Sequence, residues 1–137
     1  MGIQQRDYIM REIDKIAKML GYLIARILGL KPEIGIEEAF NETAVSMKEE
    51  IDFDLKAWLD VDDGAAMDQL MAMDFRYEHF DKLIDLLVAM GDKMPSDSAL
   101  RHKIYERCAA LDEFSSRQFG ITSFENYYRR NKIEANL

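Results

Sequence analysis

Proline is nearly absent, with two in 137 residues, so little in the chain obstructs helix formation. There is one cysteine, Cys108, which excludes an internal disulfide framework and any zinc site built from several cysteines. Period-two alternation of apolar and polar residues is confined to residues 51–57, and helical spacing dominates elsewhere, so strands are not expected. Long apolar runs are missing as well. The longest near the N-terminus, Tyr22 to Ala25, is far short of the ~20 residues a membrane-spanning helix needs. Asp7, Glu12 and Asp14 also occupy the region where an export signal would place its basic start. Together these absences lead us to expect a cytoplasmic location.

Positive charge is scarce and unevenly placed. The net charge is −8. Residues 1–31 hold six Lys/Arg against three Asp/Glu, giving +3, whereas the other 106 hold 12 against 23, giving −11. The field of so acidic a body repels nucleic acid and anionic lipid, so no nucleic-acid partner is expected.

What the chain has is helical spacing from end to end. The stretch from Arg6 to Pro32 forms one long amphipathic pattern, with Ile9, Ile13, Ile16, Leu20, Ile24 and Ile27 in line. Gly29 suits a left-handed C′ position, Leu30 can fold back on Ile24, and Pro32 blocks continuation. Further helices are expected at about Ile36–Glu50, Leu55–Leu59, Ala65–Met73 and Phe75–Met90, the last stopped by Gly91. Asp62 or Asp63 caps the fourth, and Ser96 is the expected cap of a helix reaching about Arg117. Gly120 ends that helix, and Thr122 to Glu125 reads as a capping box for a last helix with Phe124 and Tyr128 turned inward. The expected fold is all-α: one domain of six or seven helices, comprising a long N-terminal helix (6–28), middle helices (36–94) and a C-terminal helical hairpin (97–134).

No catalytic or metal signature is complete. An EF-hand loop with Gly64 at its sixth position would put Leu59, Val61 and Leu70 where oxygen ligands are required. Helical di-iron sites use Glu-x-x-His, but the residues three before His79 and His102 are Arg76 and Ala99. Cys108 falls on an inward face, where a free cysteine behaves as a small hydrophobe. No phosphate-binding glycine loop and no serine elbow occur. We therefore expect no catalytic residue, no metal and no cofactor. The competing reading is an enzyme or ligand-binding protein whose site gathers scattered polar residues around His79, such as Arg76 and Glu78.

The first helix has one further feature: Ala17, Gly21 and Ala25 form a ridge of small residues on one flank of its apolar stripe. Such a ridge lets another helix approach closely, a packing reason for tolerating a helical glycine that costs about 1 kcal/mol relative to alanine. The stripe serves equally as the domain's own core or as a surface for a second chain. If the latter, Ile9, Ile13, Ile16, Ala17, Leu20, Gly21, Ile24 and Ile27 form a candidate interface, and a homodimer follows. Basic residues opposite an apolar face also suit a membrane surface, but Asp14 interrupts them and the body is acidic.

Asp7-Tyr8-Ile9-Met10-Arg11 at the start and "SFENYYRRNKI" at the end resemble a family of small bacterial proteins of unknown function. That resemblance implies an all-helical fold closed by a hairpin like those of tetratricopeptide repeats, and it implies no activity. The functional expectation is a non-enzymatic helical module that works by contact with a protein partner.

Overall fold

The computed structural model describes residues 3–31, 34–121 and 126–137, without the side chains of residues 3–6 and Ile9. Seven helices and no strand occur among the described residues: α1 Ile3–Leu28, α2 Ile36–Ile51, α3 Leu55–Asp60, α4 Asp63–Ala72, α5 Tyr77–Asp92, α6 Ala99–Phe119 and α7 Asn126–Ala135. The all-α expectation holds. Pro32 and the Thr122 to Glu125 box, with Phe124, lie outside the described residues.

The helix ends follow local chemistry. Asp62 Oδ1 accepts from Ala65 N at 2.8 Å and heads α4, and Asp54 does the same for Ala57 at 3.1 Å in α3. Gly120 ends α6 in the left-handed region, with φ 63°. Three expectations at helix ends are overturned. Gly29 is not left-handed; the last turn of α1 tightens instead, with Leu30 N donating to Ile27 O at 3.3 Å. The cap of α6 is Ser98, whose Oγ accepts from Arg101 N at 3.2 Å, because a turn from Pro95 to Ser98 delays the start past Ser96. Gly91 does not stop α5, which continues to Asp92.

Gly21 and Gly91, both inside helices, have different reasons. A Cβ on Gly91 would lie 3.0 Å from Tyr105 Cε2, so glycine is there to let α6 close on α5. A Cβ on Gly21 would meet only the flexible Lys82 Nζ, at 3.4 Å. The small-residue ridge is therefore not a close helix crossing; Ala25 at its far end is exposed. Gly21→Ala should raise stability by up to about 1 kcal/mol through helix propensity. Gly91→Val should lower it by about 1–3 kcal/mol through overpacking. Urea titrations of both variants check the opposite signs.

At the centre lies α5. His79, Phe80, Leu83, Ile84, Leu86, Leu87 and Met90 are all essentially inaccessible. Helix α6 runs antiparallel to it, as the Phe80–Phe114, Phe80–Phe119 and Tyr77–Phe119 ring pairs at one end and Tyr105 against Gly91 at the other require. Helix α1 runs along α5 in the same direction, with Ile13 at His79 and Gly21 at Lys82. One buried cluster draws on all seven helices.

Helix α7 lies beside α5 and α6, and its orientation reverses one expectation. Tyr128 is 77% exposed rather than inward. The inward position belongs to Arg129, whose Nη1 donates to Asp81 Oδ1 at 2.7 Å and Asp85 Oδ1 at 2.8 Å. Arg130 pairs with Asp112 at 2.7 Å and Lys132 with Asp92 at 2.8 Å. Ile133 is the one buried apolar residue described in this helix.

Candidate functional site

Of the eight candidate interface residues on α1, four are spent inside the chain. Ile13, Ile16, Leu20 and Ile27 are 0–8% exposed and belong to the buried hydrophobic core. Ile24 packs half-buried against the same cluster, Ala17 and Gly21 are intermediate, and Ile9 lies outside the described side chains. As an interface this stripe would have to open the fold, because α1 packs chiefly on α5.

The His79 group is likewise a structural device. The ring is fully buried, and its Nδ1 accepts from Arg76 N at 2.8 Å. That acceptor role leaves the proton on Nε2, which donates to Ile13 O at 2.9 Å. Both ring nitrogens are thus occupied in tying the start of α5 to α1. Arg76 and Glu78 point to solvent and do not converge on the imidazole. Among the described residues, no three of His, Cys, Asp and Glu gather as a metal site.

Cys108 is completely buried, and burial pushes its thiol far up from the usual cysteine range. A neutral thiol without access does not react as a thiolate. Labelling by a thiol reagent should proceed at the rate of global opening, and become immediate in denaturant. Fast labelling of the native chain would contradict this burial.

Arg107 is a deeply placed charge, with a side chain 5% exposed. Its guanidinium lies 5.0 Å from the Trp58 ring centroid and donates to the carbonyls of Leu59 (3.4 Å), Val61 and Asp62 (3.3 Å). It satisfies the open C-terminal carbonyls of α3 and stitches the acidic loop to α6. Local sequence gave no sign of this, since the partners lie 45–48 residues away.

Among the described residues, the outer side of α1 is one surface left unengaged. His79 sits in the first turn of α5 and meets Ile13, so α1 overshoots α5 at its N-terminal end. Asp7, Tyr8, Met10, Arg11 and Glu12 are all exposed there. Along the outer side, Tyr8, Arg11, Lys15, Lys18 and Tyr22 follow at spacings of three and four, in one solvent-facing line. Tyr8 is 63% exposed and Tyr22 is 64% exposed. A shallow open depression of about 610 Å³ runs beside this line, floored by Met19 and bounded by Glu50 of α2.

No family model matches the chain, and no curated protein or solved structure matches it. Among the described residues no helix is long and apolar enough to cross a membrane.

Proposed function

We propose that the chain is a non-enzymatic helical module that binds a protein partner through the outer side of α1, and that it belongs with the small bacterial helical proteins its termini resemble. The supporting observation is that line of exposed tyrosines and basic residues on a helix whose other face is anchored in the core. Tyrosine and arginine are enriched at protein interfaces, tyrosine because it presents large area at low entropic cost and arginine because its planar fork makes several hydrogen bonds. From Ile13 onward the helix is anchored along α5, so that part of the surface needs no ordering on binding.

This reading places the contact on the side opposite the isoleucine stripe. Self-association through Ile13, Ile16, Leu20 and Ile27 is therefore not part of it. The test is a photo-crosslinking amino acid placed at Tyr22 in cells, with Tyr127, 58% exposed on α7, as control. The expected result is a discrete adduct with another protein from position 22 and none from 127. No adduct from position 22, or equal adducts from both, would refute the reading.

A further inference from the structure

Among the described side chains, eight arginines and lysines reach a carboxylate within 4 Å and nine do not, so what marks the three on α1 is that they adjoin one another on one face. Each of the four arginines from Arg107 onward reaches a carboxylate within 4 Å. Arg11, Lys15 and Lys18 reach none among the described residues, although Asp7, Glu12 and Asp14 share their helix. A chain of net charge −8 thus carries three neighbouring cations without a direct ion pair on one face, beside Asp14 and Glu50, which line the same depression. They stand at i, i+4 and i+7, between two exposed tyrosines, over a line ~21 Å long at ~1.5 Å per residue.

We propose that this face docks an acidic helical segment of another protein, with carboxylates at the same i, i+4, i+7 spacing and apolar residues between them. The proposal rests on the reading of α1 as the contact surface and adds the chemistry of the partner. Charge complementarity selects the occupant. A second copy laid face to face would oppose three cations to three cations, which is repulsive. Extended polyanions, a nucleic acid or an anionic bilayer, would also meet the acidic flank of α2, where Glu37, Glu38, Glu42, Glu49 and Glu50 are exposed. A single acidic helix, about 10 Å wide, touches the strip and meets only Glu50 of that flank, the residue that bounds the depression. Tyr8 and Tyr22 then bracket the contact with apolar area, and Met19 floors its centre.

The experiment measures fluorescence anisotropy of a labelled helical peptide with Glu at i, i+4 and i+7 and Leu between, titrated with the full chain. Binding should weaken at least tenfold between 50 and 300 mM salt. It should fall at least tenfold for the Arg11→Glu/Lys15→Glu/Lys18→Glu variant, whose circular dichroism and melting should match wild type because all three sites are exposed. A peptide with Lys replacing Glu should bind that variant instead. No peptide binding, or binding indifferent to the reversal, overturns the proposal. So does a preference for phosphatidylserine vesicles or oligo-deoxythymidine over the peptide. If the peptide fails while position 22 still cross-links to a protein in cells, the acidic class of partner falls and the docking face stands. Loss of the cross-link itself removes the wider reading.

Discussion

Leu20→Glu abolishes the fold rather than dissociating an assembly. Leu20 has no accessible surface, and it sits at the centre of the α1 stripe among Ile16, Leu23 and Ile27. Removing a buried leucine side chain costs about 2–5 kcal/mol before any charge is added. Burying a carboxylate adds several kcal/mol more, or forces it to protonate. The total is comparable to the whole stability of a domain, about 5–15 kcal/mol. The expected result is loss of helical circular dichroism at 25 °C, with wild type keeping one solution mass, that of a monomer, across a dilution series. Leu20→Met, which conserves volume, should cost less than about 1.5 kcal/mol and stay folded. A folded monomeric Leu20→Glu protein derived from a dimeric wild type would mean the stripe is an interface after all.

Arg107→Ala should be the most damaging single change to a charged residue. Truncation strands carbonyls of Leu59, Val61 and Asp62 that its guanidinium holds. Leaving buried acceptors unpaired costs about 1–3 kcal/mol, and the lost stacking on Trp58 adds about 0.5–2. A fall of about 3 kcal/mol in urea unfolding, with unchanged slope, is expected. Trp58 is the only tryptophan, and its Nε1 donates to Ala66 O at 3.1 Å. Its emission therefore reports this corner alone, and a red shift should accompany the loss. Arg107→Lys should recover little, because one ammonium cannot span three carbonyls with a planar fork. A variant as stable as wild type would show that water replaces the guanidinium without penalty.

Helix existence and the apolar face of α5 were legible in the sequence, because period 3.6 is imposed by one buried side and needs no knowledge of what covers it. Phe80, Leu83, Ile84, Leu87 and Met90 fall at helical spacing in the sequence, and all five are buried. What covers a stripe was not legible: the same isoleucine line reads as core or interface until α5 is seen against it. The facing of α7 was misread for a related reason. Tyr128 outranks Arg129 on any apolar scale, but Asp81 and Asp85 lie 44 or more residues away and turn the arginine inward. Gly91 was read as punctuation, whereas its neighbour across the fold, Tyr105, gives it its purpose. The outer line of α1 was visible as a polar remainder. That its cations lack partners emerged only once the carboxylates had been placed.

The fastening of α7 has a consequence for how the molecule opens. One buried isoleucine and a row of ion pairs hold this helix, whereas α5 and α6 share a continuous apolar seam. Coulombic attraction at a partly wet surface is screened by salt, but burial of hydrocarbon is not. The chain should therefore have two levels of protection against hydrogen exchange. Amides of α7 should exchange through a local opening that concentrated salt makes easier, while those of α5 wait for the whole bundle to come apart. Its last helix is a separately releasable unit, with ionic strength as the lever.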